Sequence, residues 1–354
     1  MWKLILFAFA IVSFNLCALH NVDINKGSKI EIDSVAQKEL GHLFFFDKRL
    51  SYNNALSCSS CHDPILAFTD GYKVSFNSYA EELQRNSPSL LNINTRNSFN
   101  WANSKITTLQ QQMQRPLFGN HPKELFLTGN ENNVLDRFKK DKLYLNLFQK
   151  CYKQAIQTIE LSEIIECITS YINSLQSRNS KYDQFLLNKD SSLLNKDEWI
   201  GFRLFHSDSI SCNSCHGGQD FFTPERGGEF ANIGLYNCNQ SYPESDLGLQ
   251  SEDNDVDYNG VFRIPGLRNV ILTSPYYHDG SEEDLNKVLL NYERQGRQVT
   301  YGNCIGDGSQ HPLTDGRMQK FKLHDSERKA IISFLNCLTD TSYFQNPYFR
   351  NPFE

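Results

Sequence analysis

The sequence predicts an all-α fold built from two tandem units of the same kind. A helical pattern at residues 34–45 returns at residues 199–205, so both units begin alike. Residues 161–175 and 325–338 also resemble each other, since each carries a Ser-Glu pair near its start and apolar residues at helical spacing. The segments in between are rich in Gly, Asn and Ser, which predicts loops and short helices with little strand. An order that occurs twice along one chain indicates a repeated structural unit.

The opening helix of the first unit is predicted from its cap and its apolar face. Ser34 can cap the helix, because its hydroxyl can accept a hydrogen bond from a backbone N–H of the first turn. Val35, Leu40, Leu43 and Phe44 supply the apolar face. We therefore expect this helix to pack into the core of its unit.

The closing helices are predicted from their apolar positions, which are Ile165, Ile168 and Ile172 in the first unit and Ile331, Phe334, Leu335 and Leu338 in the second. Gly41 and Gly201 occupy matching places in the two opening helices. In each unit, the first and last helices should pack beside one functional centre.

Each unit carries the same short motif after its opening helix. The motif is CSSCH in the first unit and CNSCH in the second, and its residues are Cys58, Cys61, His62, Cys212, Cys215 and His216. Two cysteines separated by two residues and followed by histidine are the attachment signature of c-type haem, in which the histidine is the proximal iron ligand. Paired cysteines also hold zinc, but a zinc site does not require histidine directly after the second cysteine. The sequence therefore predicts two cytochrome c-like domains, each with one covalent haem.

The first residues are typical of an export signal. Lys3 gives a positive start, an apolar core follows, and Ala18 is a suitable cleavage site, so residues 1–18 are predicted to be a signal peptide. An uncleaved anchor and lipid attachment at Cys17 are the alternatives. Export agrees with the haem motifs, because bacterial c-type haem is attached outside the cytoplasm. We expect a periplasmic protein.

Length and composition limit the remaining choices. The 354 residues suffice for two domains, which we place at residues 30–190 and 191–345, joined by a polar linker. A formal net charge of −6 and the absence of basic runs argue against a nucleic-acid partner. Outside the haem motifs the chain has Cys17, Cys151, Cys167, Cys238, Cys304 and Cys337. These cysteines could form disulfides or remain buried free thiols, and the sequence does not decide between the two. A disulfide between Cys238 and Cys304 is one guess.

From about residue 37 onward, the chain resembles the bacterial di-haem cytochrome c peroxidase family, including its MauG-like branch. The segments that carry the resemblance are LGHLFFFDKRLSYNNALSCSSCHDPILAFTDG, RNSPSLLNI, TTLQQQMQRPLF and GVFRIPGLRNVILTSPYYHDG. The resemblance implies a peroxidase that reduces hydrogen peroxide to water at the first haem. Electrons would reach the second haem from a small redox protein, either a cytochrome c or a cupredoxin. A MauG-like oxidase that modifies a partner protein and a non-enzymatic electron carrier are the alternatives, and a homodimer is left open.

By this resemblance, Glu124 is the distal acid/base of the first haem, and Gln112 and Pro116 line its pocket. His121 is a rival distal base. Met113 is the alternative axial ligand of the first iron. A methionine there would fill the open coordination position and make the protein an electron carrier.

The resemblance also bears on the space between the haems. Many family members place a histidine on the first iron until the enzyme is reduced, but residues 74–84 contain none, so the first iron should be open in the oxidised protein. Trp101 is similar to the family's tryptophan between the haems and is expected to relay electrons.

At the second iron, the family position of the sixth ligand falls at Tyr292, as in the MauG-like branch, with His278 and Met318 as alternatives. Arg263 and Arg268 are candidates to pair with haem propionates. The resemblance further implies a calcium ion between the haems, held by the Asn86 side chain and the carbonyl groups of Thr273 and Pro275.

Overall fold

Helices dominate the regular structure of the part of the chain that the computed structural model describes, which is residues 32–153, 159–223 and 227–354. These helices are α1 (Ser34–Phe46), α2 (Leu109–Phe118), α3 (Glu131–Lys139), α4 (Lys142–Tyr152), α5 (Leu161–Asn173), α6 (Lys181–Asn188), α7 (Lys196–Phe205), α8 (Gln250–Asp253), α9 (Leu285–Glu293) and α10 (Asp325–Cys337). Residues 32–354 form one compact unit. The predicted signal peptide and Cys17 lie outside the described residues.

The repeat seen in the sequence is also a structural repeat. Helix α1 packs against α5, and α7 packs against α10. A Cβ atom at Gly41 would overlap the carbonyl oxygen of Cys167, and a Cβ atom at Gly201 would overlap that of Ala330. Both helix pairs therefore cross at a glycine, which lets their backbones approach closely. The predicted opening and closing helices are confirmed.

The predicted cap of α1 is wrong by one residue. Asp33 is the N-cap, and its carboxylate accepts hydrogen bonds from the backbone N–H groups of Val35 and Ala36. Ser34 therefore becomes the first helical residue. Val35 is 56% exposed rather than part of the apolar face, whereas Leu40 is fully buried. The sequence alone does not distinguish Asp33 from Ser34, because aspartate and serine are equally favoured at the N-cap.

Within residues 32–153, 159–223 and 227–354, the buried apolar side chains form three clusters. The largest is built around α1, α3, α4 and α5, and it also contains Tyr343 and Phe349 from the end of the chain. The second joins α6, α7 and α10, and the third is a small group around Tyr242 and Phe262. All the apolar residues named for the closing helices lie in the first two clusters. The domain boundary at residue 190 stays a prediction.

Strand content is small, as predicted. Strand β1 (Phe230–Ala231) pairs antiparallel with β2 (Phe262–Arg263), and β3 (Gln298–Val299) pairs antiparallel with β4 (Gly306–Asp307). Cys238 and Cys304 form a disulfide, so the guessed pair is confirmed. Cys151, Cys167 and Cys337 are buried free thiols. Among the described residues, no helix has the length and apolarity needed to cross a membrane.

Candidate functional site

The two haem motifs adopt the same local structure. Each begins with one turn of 3₁₀-helix, at Cys58–Ser60 and at Cys212–Ser214. The backbone N–H of His62 donates to the Cys58 carbonyl at 3.0 Å, and that of His216 donates to the Cys212 carbonyl at 2.8 Å. These turns bring the histidine and both cysteines of each motif into one small patch. That arrangement is what a covalently attached porphyrin with a proximal histidine requires.

Backbone carbonyls fix the tautomer of both histidines. His62 Nδ1 lies 2.9 Å from the Phe68 carbonyl oxygen, and His216 Nδ1 lies 3.2 Å from that of Phe221. Because a carbonyl can only accept, Nδ1 donates in both rings and the lone pair of Nε2 is left for a metal. Burial lowers the pKa of His62, and it lowers the pKa of His216 to about 4. Both rings are therefore neutral at neutral pH, the form in which histidine binds a metal.

A cavity of about 250 Å³ lies at the second motif. Cys212, Cys215 and His216 line it, and so does Tyr292 of α9. Burial raises the pKa of Tyr292, and the neighbouring phenol of Tyr277 and the two motif cysteines raise it further. Tyr292 therefore lies within electrostatic reach of the groups that would carry the second haem.

The two alternatives for the sixth ligand also line this cavity, because His278 and Met318 are both part of its wall. The His278 ring stacks on Phe262 with centroids 3.5 Å apart, and its backbone carbonyl accepts a hydrogen bond from the Asn86 N–H at 2.8 Å. The assignment of Tyr292 as iron ligand stays a prediction.

The same cavity fits a haem carrying two negative propionates. Arg263 is buried, its Nε donates to the Asn100 carbonyl at 3.2 Å, and its Nη1 has no hydrogen-bond partner in the described part of the chain. Arg96 lies beside it over the Phe222 ring, with its guanidinium carbon 3.8 Å from the ring centroid. Burial and then the charge of Arg263 lower the pKa of Arg96. Two cations that repel each other in a cavity are a site for anionic groups.

Arg268 is a weaker propionate candidate than the sequence indicated. Its two terminal nitrogens donate to the Asp183 carboxylate at 2.9 and 2.8 Å, and its Nε donates to Asp220 at 3.0 Å. A guanidinium that already has two carboxylate partners has little to offer a third anion. Arg268 therefore braces the wall of the cavity, and the arginine that sequence reasoning missed is Arg96.

Trp101 links the cavity to the first motif. Its ring lines the cavity, and its Nε1 donates to the Asn86 carbonyl at 2.8 Å. Ser87 is the next residue, and its hydroxyl donates to the Cys61 carbonyl at 2.5 Å and lies 3.2 Å from His62 Nδ1. A short connected path thus runs from the second-haem cavity to the proximal histidine of the first haem.

Glu124 lies beside the first motif. Its charge raises the pKa of both Cys58 and Cys61, although burial is the larger cause for each thiol. Burial also raises the pKa of Glu124 itself, to about 7. The backbone at this point is anchored to α2, because the Leu125 N–H donates to the Pro116 carbonyl at 2.9 Å.

The other candidates for the first haem lie elsewhere in this region. The Gln112 side-chain oxygen accepts a hydrogen bond from Asn100 Nδ2 at 3.1 Å, next to Trp101. His121 is exposed, and Met113 is buried in the first hydrophobic cluster. The roles of Glu124, Gln112 and Trp101 stay predictions.

The three residues predicted to hold calcium all line the cavity. They are Asn86, Thr273 and Pro275. The Asn86 amide nitrogen donates to the Tyr72 carbonyl at 2.9 Å, which orients this side chain. The predicted donors are an amide oxygen and two carbonyl oxygens, the hard ligands that calcium prefers, and the calcium site stays a prediction.

Sequence reasoning missed three residues that shape these sites. Phe68 and Phe221 supply carbonyl groups to the proximal histidines, and Ser87 reaches the first of them. A carbonyl has no side-chain signature, and the two phenylalanines follow their histidines at different spacings, six residues for Phe68 and five for Phe221. A phenylalanine shortly after each motif is therefore the only signal in the sequence.

Two histidine-bearing motifs, each with its own thiols, are the pattern of a cytochrome with two c-type haems. A profile of the family described as di-haem cytochrome c peroxidase matches residues 35–191. Cytochrome c551 peroxidase of Nitrosomonas europaea is 30% identical over 271 residues, covering 74% of this chain and 76% of that protein. The methylamine utilization protein MauG of Methylorubrum extorquens is 26% identical over 299 residues, covering 84% of this chain and 77% of that protein.

A solved structure also supports membership of this family. A MauG-like protein associated with microbial copper homeostasis superposes with a TM-score of 0.87 and 33% identity, covering 95% of this chain and all of that chain. The chain belongs to the di-haem cytochrome c peroxidase and MauG family. Membership implies two c-type haems and an oxidoreductase.

Proposed function

We propose that this chain is a periplasmic, peroxide-dependent di-haem oxidoreductase of the MauG-like type, which takes the electrons for peroxide reduction from a partner protein. The observation that carries this proposal is that Tyr292 shares one cavity with His216. An anionic phenolate favours higher oxidation states of iron, so a tyrosine-ligated second haem suits an oxidant better than an electron carrier.

At the first haem, the chain's own residues handle the proton. A haem held by Cys58, Cys61 and His62 would supply the iron centre that reacts with peroxide. Glu124 takes the proton from the oxygen atom nearer the iron and returns it to the oxygen that leaves as water. The pKa of Glu124, raised to about 7 by burial, suits a group that must both accept and donate a proton. The residue that would ligate the iron is His62, whose Nδ1 donates to the Phe68 carbonyl.

Between the haems, Trp101 is the proposed electron relay. Its bond to the Asn86 carbonyl and the contact of Ser87 with His62 support this role, because they form an unbroken connection between the two centres. The Arg263 guanidinium lies 5.3 Å from the centroid of the Trp101 ring. This positive charge disfavours oxidation of the indole itself, so the relay would hold a hole only briefly.

One relative supports a proposal about the setting of the reaction. The MauG-like protein of 33% identity is associated with microbial copper homeostasis, and we propose the same setting for this chain. The partner would then be a protein of the copper response whose side chain is oxidised.

Electron paramagnetic resonance of the resting protein tests the proposal. We expect one high-spin ferric haem, which is open, and one low-spin ferric haem ligated by His216 and Tyr292. Tyr292→Phe should abolish the low-spin signal, because phenylalanine offers iron no ligand. Tyr277→Phe is the matched control, since Tyr277 lines the same cavity but accepts a hydrogen bond from Asn291 at 3.1 Å. An unchanged low-spin signal in Tyr292→Phe together with its loss in Met318→Leu would assign the ligand to methionine and refute the proposal.

The second candidate is the peroxidase that the sequence predicts, fed by a cytochrome c or a cupredoxin. The 30% identity with a cytochrome c551 peroxidase supports it. Steady-state consumption of peroxide with a reduced cytochrome c or cupredoxin separates the two candidates. Many turnovers would favour the peroxidase, and a single turnover followed by stalling would favour the MauG-like oxidase.

A further inference from the structure

Two tyrosines stack against each other near Glu124, and neither has a part in the proposed reaction. The rings of Tyr52 and Tyr79 lie with centroids 5.1 Å apart at an interplanar angle of 29°. Phe126 contacts both rings, at 5.7 Å from Tyr52 and 5.9 Å from Tyr79. Tyr79 is 43% exposed. Tyr52 is partly buried, so the pair lies near the surface of the protein.

Backbone hydrogen bonds attach both tyrosines to the segment that carries Glu124. The N–H and the hydroxyl of Ser78, the residue before Tyr79, both donate to the Glu124 carbonyl, at 3.1 and 2.7 Å. The N–H of Tyr52 donates to the Leu125 carbonyl at 3.0 Å. The charge of Glu124 in turn acts on Cys58 and Cys61. The pair thus lies beside the backbone segment that carries Glu124, the residue proposed to exchange protons with peroxide.

We propose that Tyr52 and Tyr79 are an internal reductant, which peroxide oxidises through the first haem and joins into a dityrosine when no external electron donor is present. This inference rests on the peroxide reaction proposed above.

The chemistry balances with peroxide as the only oxidant. Each phenol gives up one electron and one proton, and the two resulting phenoxyl radicals couple through a ring carbon of each. Both rings then regain their phenol form, so the net change is one new carbon–carbon bond and the loss of two ring hydrogens. Peroxide accepts the two electrons and two protons and becomes two molecules of water. One peroxide therefore supplies what one cross-link needs.

The surroundings of the pair oppose proton loss at Tyr52 and leave an exit to water at Tyr79. A hydrogen bond with Tyr79 raises the pKa of Tyr52, with burial as the second cause. The Lys123 ammonium lies 4.5 Å from the Phe126 centroid and 5.9 Å from that of Tyr79. Tyr79 can pass its proton directly to water, because its ring is partly exposed. The pair would protect the first haem by using up oxidising equivalents that no partner has claimed.

The experiment treats the holo-protein with one equivalent of hydrogen peroxide and no electron donor. Dityrosine fluorescence and mass spectrometry of the digested protein then report a cross-link between the peptides that contain Tyr52 and Tyr79. We expect the cross-link in the wild type and its loss in both Tyr52→Phe and Tyr79→Phe. Tyr72→Phe should retain it, because Tyr72 is 58% exposed on the same loop but packs on Phe76. The yield per molecule should not change on dilution.

The outcomes separate this inference from the proposed function. If peroxide changes the haem spectrum but no cross-link forms, or if the yield falls on dilution, the inference is wrong and the peroxide reaction stands. If peroxide leaves the haem spectrum unchanged, the proposed function fails and the inference falls with it.

Discussion

The titration of Glu124 gives the first test at the scale of single residues. Burial raises the pKa of this carboxyl to about 7, so it is neutral below that pH and a carboxylate above it. Only the carboxylate can accept the proton of peroxide. The rate constant for the reaction of peroxide with the oxidised protein should therefore rise as pH increases through about 7, as stopped-flow absorbance would measure.

Glu124→Gln should lower this rate constant by about 10²–10⁴-fold, the usual contribution of a general acid–base group, and remove its pH dependence near neutrality. Haem content should stay unchanged. Glu131→Gln is the control, because Glu131 begins α3 and accepts a hydrogen bond from the nearby Gly129 N–H. A wild-type pH profile in Glu124→Gln would contradict the assigned role.

At the scale of elements, the two glycine crossings predict a matched pair of stability effects. Gly41→Ala and Gly201→Ala would each place a methyl group against the backbone of the facing helix, at Cys167 and at Ala330. Overpacking of this kind typically costs about 1–3 kcal/mol. Thermal denaturation of the holo-protein should show a lower midpoint for both variants.

Gly316→Ala is the control for both crossings, because a Cβ atom there meets nothing within 4 Å. A midpoint equal to that of the wild type in either variant would mean that the corresponding helix pair can separate without cost.

The last segment of the chain packs against the loop that follows the first haem motif. The Tyr343 hydroxyl donates to the Pro64 carbonyl at 3.0 Å, and the Phe68 ring packs against Tyr343 and Phe349 at 6.4 and 5.8 Å. Phe68 is the residue whose carbonyl orients His62. The C-terminal segment therefore stabilises the loop whose Phe68 carbonyl orients His62.

Tyr343→Phe should cost about 1 kcal/mol of folding stability, because the partly buried Pro64 carbonyl loses its hydrogen-bond donor. It should also broaden the resonance signal of the first haem and leave that of the second haem unchanged. Tyr348→Phe serves as control, since Tyr348 is 37% exposed and its backbone carbonyl, not its ring, accepts from Tyr171. Equal changes at both haems would show a general loss of stability rather than a local one.

For the whole molecule, the sequence predicts what local chemistry determines. The haem motifs, the four repeated helices and the low strand content all follow from residues that lie close together along the chain. The N-cap at Asp33 could not be separated from Ser34 by the same reasoning, because both residue types cap equally well.

Features that depend on distant contacts were not predictable in this way. Arg268 looked available for a propionate because its partners Asp183 and Asp220 are separated from it by 85 and 48 positions. Nothing in the sequence marks Arg96 as a propionate candidate, because that role comes from the cavity that it shares with Arg263. Charges acquire a role through the fold that brings them together, and the pairing of charges is therefore the last thing a sequence reveals.

The bond between Cys238 and Cys304 constrains how such a protein can be made. Four other cysteines have to remain reduced until their sulfur atoms react with porphyrin, while this pair has to be oxidised. Both events concern the same newly made polypeptide. Maturation therefore needs a fixed order of thiol chemistry, and a cell that oxidises the wrong pair first would accumulate colourless, misassembled protein.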